Sequence, residues 1–274
     1  MEHKEKELSA NNISFRYKNH KSRLDSFVIK NLQEIKISSE EIVSIIGRSG
    51  TGKSTLLRIM AGLEKPDKGS VTWKLSKNGE NYEVKQPDAP VIEVFQNYNR
   101  AVFPWLNIEQ NISLGRFKSE SNHFGITEIC NKLFREDAKD VNSFLKTYPK
   151  ELSGGQRQRI QLGRALYSGA EFLLFDEPDS SLDVGFKETL REVVILLARK
   201  HRKGVVIATH DIDQATYLSN RVIILHRSRE KKEIELDVVR GFQDLGTKLK
   251  YNQAIKHEEF INIKSEIIKK IFEH

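Results

Sequence analysis

The sequence predicts an α/β fold built on a mostly parallel sheet with helices on both faces. Three observations carry this. Four short apolar runs, Ile42-Val43-Ser44-Ile45-Ile46, Phe172-Leu173-Leu174-Phe175, Val205-Val206-Ile207-Ala208 and residues 221–225, have the character of strands buried on both faces. Helical segments alternate with them: 54–61, a stretch opening after Ser153, 186–200 and a short one after His210. The first strand also runs through a glycine-rich turn straight into its helix.

The remaining elements follow in order. Residues 7–37 alternate apolar and polar, as in Ile13-Ser14-Phe15-Arg16-Tyr17 and Ile35-Lys36-Ile37, and predict antiparallel strands with a solvated face. Gly62 ends the helix over 54–61, and Lys65-Pro66-Asp67-Lys68-Gly69 is a turn into a strand over 70–75. Residues 76–90 are polar, contain Pro87 and Pro90, and are expected to form a loop. Residues 107–150 have helical character without buried-strand runs, which suggests a small helical subdomain. The last forty residues shift to Lys, Glu and Ile and are expected to form an appendix outside the sheet.

Composition narrows the class. The 274 residues are enough for a substantial core. The longest apolar runs, such as 193–198, fall far short of the ~18 residues a membrane span needs. The charged start Met1-Glu2-His3-Lys4 has no apolar stretch of a signal peptide, and a lone Cys130 forms neither an internal disulfide nor a thiolate zinc site, so the cytosol is the expected compartment. Forty-five Lys+Arg against 38 Asp+Glu leave +7, with a pI near 9.3. That charge is compatible with an anionic membrane or nucleic acid, but the lysines are interleaved with glutamates, as on solvated faces.

Gly47-Arg48-Ser49-Gly50-Thr51-Gly52-Lys53-Ser54 fits G-x-x-x-x-G-K-[ST] between a buried strand and a helix. The glycines let backbone N–H groups surround phosphates, and the helix N-terminus adds a favourable dipole. Lys53 is expected to reach the β- and γ-phosphates, and the Ser54 hydroxyl to ligate Mg²⁺. The run 172–175 ends in Asp176 and Glu177, at the strand edge where open α/β sheets bind ligands. Asp176 is expected to hold Mg²⁺, and Glu177 to polarise the water that attacks the γ-phosphate. His210, ending the run 205–208 plus Thr209, is either an ordinary structural histidine or, if beside the γ-phosphate, a residue that holds that water and the phosphate together; the motif that follows favours the second.

Leu152-Ser153-Gly154-Gly155-Gln156 opens a further helix. With this motif the chain resembles the ATP-binding subunits of ABC transporters over about residues 8–228. The resemblance implies a P-loop NTPase core of ABC type, with an antiparallel β subdomain and a helical subdomain near 97–165. The ATPase domain is expected over 7–228 and a short helical appendix over 229–274. It also assigns Gln96 as the Q-loop glutamine, near Mg²⁺ and the reaction, and Ser181-Leu182-Asp183 as the D-loop, with Asp183 at the nucleotide. Thr55 joins residues 47–54 in holding ATP. In that family Ser153, Gly154, Gly155 and Gln156 cap the γ-phosphate of ATP bound to the opposite subunit, so a homodimer sandwiches two ATP molecules. Tyr17 would stack on the adenine, although an ordinary strand aromatic is the alternative. Ser39-Glu40-Glu41, Ser180 and Gln214 depart from the commonest pattern, and none of these removes a catalytic group.

Residues 97–106, ending Phe103-Pro104-Trp105-Leu106, and the stretch Thr209-His210-Asp211-Ile212-Asp213-Gln214-Ala215 are similar to the nitrate, sulfonate and taurine importer branch. The Phe-Pro-Trp run would then dock a membrane permease, or else it belongs to the core of the helical subdomain. The resemblance implies a peripheral protein at the cytoplasmic face of the membrane, partnered by permease subunits and, indirectly, by an extracytoplasmic substrate-binding protein. No nucleic-acid partner is expected, although a non-transport ABC ATPase acting on nucleic acid is the competing class. In the tail, Phe260, Ile263, Ile267 and Ile271 share one helical stripe, which could pack on the body, self-associate or lie on lipid.

Overall fold

A computed structural model describes residues 6–17, 29–77, 80–84, 90–94, 102–114, 125–134, 140–178, 184–228, 233–246 and 249–273. Among these, the strands form two sheets. An antiparallel sheet contains β1 (Glu7–Phe15), β2 (Ile29–Leu32), β3 (Ile35–Ser38), β5 (Lys68–Lys77) and β6 (Glu80–Val84), with β1 central and paired to β2, β3 and β5. The second sheet also contains β4 (Ile42–Gly47), β7 (Val91–Val94), β8 (Phe172–Asp176), β9 (Gly204–Ala208), β10 (Arg221–Arg227) and β11 (Ile234–Arg240), in the order β11-β10-β4-β9-β8-β7. Its pairings are parallel except for the β10–β11 edge.

The apolar runs are continuous because their alternate residues serve two different cores. Ile42, Leu173, Phe175, Val205, Ile207, Val222 and Ile224 face one core. Helices α2 (Ile108–Ser113), α3 (Ile126–Leu133), α4 (Val141–Leu145), α5 (Gly154–Ser168), α6 (Val184–Arg199) and α7 (Ile212–Leu218) contribute to it. Val43, Ile45, Phe172, Leu174, Val206, Ile223 and Leu225 face the other, closed by α1 (Lys53–Met60) and the antiparallel sheet. A strand with water on one face would have kept every second residue polar.

Two expectations are corrected. Residues 76–90 are not all loop, because β6 forms within them and pairs Tyr82 with Leu75 and Val84 with Trp73. It is an edge strand with polar residues, so it carries little apolar signal. The last forty residues do not lie outside the sheet. Ile234–Arg240 pairs antiparallel with β10 along its whole length, from Arg221↔Arg240 to Arg227↔Ile234. The helical part of the tail does occur, as α8 (Tyr251–Ala254) and α9 (Glu258–Phe272). Phe260, Ile263 and Ile267 are buried in the main core, so the stripe packs on the body.

Candidate functional site

Strand β4 is flanked by β9 and β10, and it delivers Gly47 to the C-terminal edge of the sheet. Gly47 lies opposite Leu225 in the parallel register, and a Cβ there would meet the Leu225 carbonyl oxygen at 2.4 Å, so only glycine fits. Gly52 caps α1 at φ 92°, a left-handed conformation costly for other residues. The helix N-terminus has no side-chain cap and no acidic residue in its first turn, leaving its amides to an external anion.

The residues predicted from 47 to 55 come together. Gly47, Ser49, Gly50, Gly52, Lys53, Ser54 and Thr55 line one cavity of about 490 Å³ with Glu177 and His210. Arg48 and Thr51 shape the loop, since the Thr51 hydroxyl donates to the Arg48 carbonyl at 2.9 Å. Lys53 Nζ donates to the Gly47 carbonyl at 2.8 Å. Burial pushes the Lys53 ammonium below its ordinary value, against the pull of Glu177 and Asp176.

Ser54 Oγ donates to Asp176 Oδ1 at 3.0 Å, joining the start of α1 to the end of β8. Burial pushes the Asp176 carboxyl above its usual range, opposed by the Ser54 hydrogen bond and by Lys53. A hydroxyl and one carboxylate are hard oxygen donors, and they leave the other positions of an octahedral ion to phosphate and water. That donor set fits Mg²⁺. Among the described residues no cluster of three or more His, Cys, Asp and Glu competes for a metal.

Glu177 has φ 46°, an uncommon value for a residue with a side chain, and its N–H donates to the Ala208 carbonyl at 2.8 Å. This turn aims its carboxylate into the cavity, with Oε1 3.5 Å from His210 Nδ1. His210 follows the buried Thr209, whose hydroxyl accepts from Asp211 N–H at 3.0 Å. Asp211 then caps α7 through Gln214 N–H at 2.9 Å. The histidine is thereby fixed at its backbone, while its ring stays largely exposed.

Tyr17 stands beside this cavity, half-exposed, with its hydroxyl 3.3 Å from Thr55 Oγ1 and its ring edge-on to Phe15 at 4.9 Å. Ser153–Gln156 do not line the cavity of their own chain. Ser153 is exposed at the N-terminus of α5, where its hydroxyl accepts from Gln156 N–H at 3.2 Å and its N–H donates to Gln156 Oε1 at 2.8 Å. A Cβ on Gly155 would meet nothing, so that face of the helix is open. Gln158 Nε2 donates to the Pro178 carbonyl at 2.7 Å and ties α5 to the segment after Glu177. Gln96 and Asp183 lie outside the described residues.

A family model described as "ABC transporter" matches residues 30–180. The chain belongs to that family. A bicarbonate transport ATP-binding protein of Synechocystis sp. is 34% identical over 244 residues, covering 85% of this chain and 33% of that protein. The chain thus spans about a third of that relative's length. An aliphatic sulfonates import ATP-binding protein of Bacillus licheniformis is 36% identical, covering 73% of this chain and 74% of the relative. A nitrate import ATP-binding protein of Synechocystis sp. is 33% identical, covering 72% and 70%. Among solved structures, a dimeric post-hydrolysis state of the ATP-binding cassette MJ0796 bound to ADP and Pi has a TM-score of 0.65 at 28% identity. It covers 86% of this chain and all of that one.

The chain is therefore an ABC-type ATPase, and two further features stand out on it. Phe103, Pro104 and Trp105 are exposed, which removes the reading of them as subdomain core. Their turn is nevertheless built. The buried Asn111 side chain bonds the Phe103 N–H at 2.9 Å and the Phe103 and Leu106 carbonyls at 3.0 and 2.8 Å. Arg164 of α5 bonds the Asn111 carbonyl at 3.0 Å and lies 5.5 Å from the Phe103 ring centre. Nearby, Ala61, Leu63, Ile92, Gln161 and Arg164 line a slot of about 250 Å³ together with Glu93.

Sequence reasoning missed Glu93. It sits in β7 opposite Leu174, its Oε2 is buried without a hydrogen-bond partner, and burial pushes its carboxyl up to about 7, helped by Asp176. A single acid inside the apolar run 91–95 was the available signal.

Proposed function

We propose that this ABC ATPase is the ATP-hydrolysing subunit of an importer for a small solute, working as a homodimer beneath separate membrane permease subunits at the cytoplasmic face. The observation that carries the importer reading is the exposed Phe103-Pro104-Trp105 turn, pinned to the signature helix α5 through Asn111 and Arg164. A permease segment seated there would push directly on the helix that caps the second nucleotide. Aromatic side chains held exposed on a rigid turn are a recurrent form of binding anchor. No helix among the described residues is long and apolar enough to cross a membrane, which is compatible with a peripheral role.

The relatives named above are proteins of bicarbonate transport, aliphatic sulfonates import and nitrate import, and this favours a small oxyanion over the nucleic-acid reading. Taurine, a sulfonate, belongs to the same solute class. A substrate-binding protein outside the membrane would deliver the solute to the permease.

The chain's own residues supply the hydrolytic steps. The loop amides and the α1 N-terminus take the phosphates, and Lys53 moves from the Gly47 carbonyl to the γ-phosphate. Ser54 and Asp176 would hold Mg²⁺, which when bound neutralises phosphate charge and keeps Asp176 ionised. Glu177 accepts a hydrogen bond from the attacking water, and His210 holds that water against the phosphate. Gln96, Asp183 and Tyr17 complete the assignment at the Mg²⁺ site, the D-loop and the adenine. Ser153 and the Gly154 and Gly155 amides would close over the nucleotide of the second subunit.

The test is affinity capture of the tagged chain from detergent-solubilised membranes, with partners identified by mass spectrometry. A multi-span permease is expected from the native chain and is lost from Trp105→Ala, while the ATPase rate of the isolated variant stays within twofold. Capture of only soluble partners or nucleic acid would contradict the importer reading.

A further inference from the structure

The nucleotide chemistry above uses nothing from the tail, yet α9 reaches two of its parts. Phe260 and Ile267 are almost fully buried, and the Phe260 ring meets Phe242 edge-on at 5.7 Å. The helix thus seats on β10, β11, α7 and the short turn over 242–245. Two lysines on its flanks extend the contact. Lys264 Nζ lies 2.6 Å from Asp213 Oδ1 in the first turn of α7, three residues after His210. Lys270 Nζ donates to Asp237 Oδ1 of β11 at 3.1 Å.

The last turn of α9 faces the phosphate loop across a cavity. Ile271 lines a cavity of about 260 Å³ whose other walls are Gly47–Thr51 and Ile224–Arg227. This is the outer side of the loop, where β10 backbone already abuts Gly47 so closely that no Cβ fits. Lys264 and Ile271 are seven residues apart, about 10 Å along one continuous helix, so their positions are fixed relative to each other.

We propose that α9 is a positioning brace for ATP hydrolysis: Lys264, through Asp213, sets α7, whose cap Asp211 directly follows His210, and Ile271 sets the outer side of the phosphate loop. The brace explains why the tail is folded onto the sheet edge and not left free. A shift of ~1 Å in a group that orients the attacking water is enough to cost a large factor in rate. Neither residue lines the cavity of Lys53, Glu177 and His210, so both are positioning residues. The proposal rests on the ATPase activity and not on the importer reading.

The test uses the full-length chain with steady-state MgATP hydrolysis, and thermal midpoints recorded alongside. Lys264→Glu lowers kcat about five- to tenfold with KM within twofold, and Lys264→Arg restores it. Ile271→Ser raises KM for ATP about fivefold with kcat within twofold, and Ile271→Leu restores it. If either disruptive variant fails to fold, Lys264→Met and Ile271→Ala are read by the same split. A purely structural tail would lower the thermal midpoint and leave kcat and KM within twofold, or shift both together with the midpoint in every variant. Either result overturns the proposal.

Discussion

Two helix N-termini are assigned to ATP, and they are built in opposite ways. The start of α1 has no side-chain cap and no acid in its first turn, so its amides are left open to an anion. The start of α5 satisfies itself, because Ser153 and Gln156 exchange a reciprocal pair of hydrogen bonds and only the glycine amides stay free. On the proposed function the first would be a phosphate site within one chain. The second is satisfied by its own side chains, and on the proposed role it would exchange part of its cap for a phosphate, as suits a contact that forms and breaks.

The largest effect expected from this contrast is at the first site. Lys53→Ala removes the cation of the cavity and should weaken ATP binding by at least ~100-fold, read by nucleotide titration, since a charge-assisted contact in a partly buried site is worth about 3 kcal/mol. Unaltered affinity would remove the phosphate-loop assignment. Ser153→Ala should leave ATP binding by the single chain within twofold yet cut hydrolysis at least tenfold. Loss of the cap should also cost about 1 kcal/mol of stability in denaturant unfolding. A loss of ATP affinity equal to that of Lys53→Ala would make the two helix ends equivalent and end the contrast.

A further effect, on stability alone, concerns Glu93, which lines a slot with Ala61 beyond the end of α1 and with Gln161 and Arg164 of α5. Its folded carboxyl titrates near 7 against an ordinary 4.5, so the folded state keeps a proton that the unfolded state has already released. Stability should therefore fall as pH rises from about 4.5 to about 7 and then level off. Glu93→Gln should flatten that slope and stabilise the nucleotide-free, Mg²⁺-free chain at pH 8 by about 2 kcal/mol, discounted for partial exposure. A slope that survives the substitution would assign it to other groups.

The parts of this molecule that could be read in the sequence are those where one physical demand dominates. Burial on both faces leaves continuous apolar runs, so β4, β8, β9 and β10 were evident, as were the glycines at 47 and 52 and the acids ending β8. The edge strands were not. Glu80–Val84 and Ile234–Arg240 have one neighbour each in their sheets and carry Glu, Asp and Arg among their residues, so composition pointed to loop and appendix. Ile234, Leu236 and Val238 do alternate with Glu235 and Asp237, a period-two signal that the charge of the surrounding tail obscured. The ion pair of Lys264 with Asp213 joins residues fifty-one positions apart and has no local sequence signature.

The most direct test of the sandwich assignment is the mass of Glu177→Gln in solution, by light scattering, with and without MgATP. Removing the carboxylate that accepts from the attacking water should slow hydrolysis by ~100-fold or more and let the ATP-bound form accumulate. The variant should then run as a dimer with ATP and as a monomer without it, and adding Ser153→Arg should abolish the dimer. A Glu177→Gln chain that hydrolyses ATP at the native rate, or that binds ATP and stays monomeric, would contradict the account.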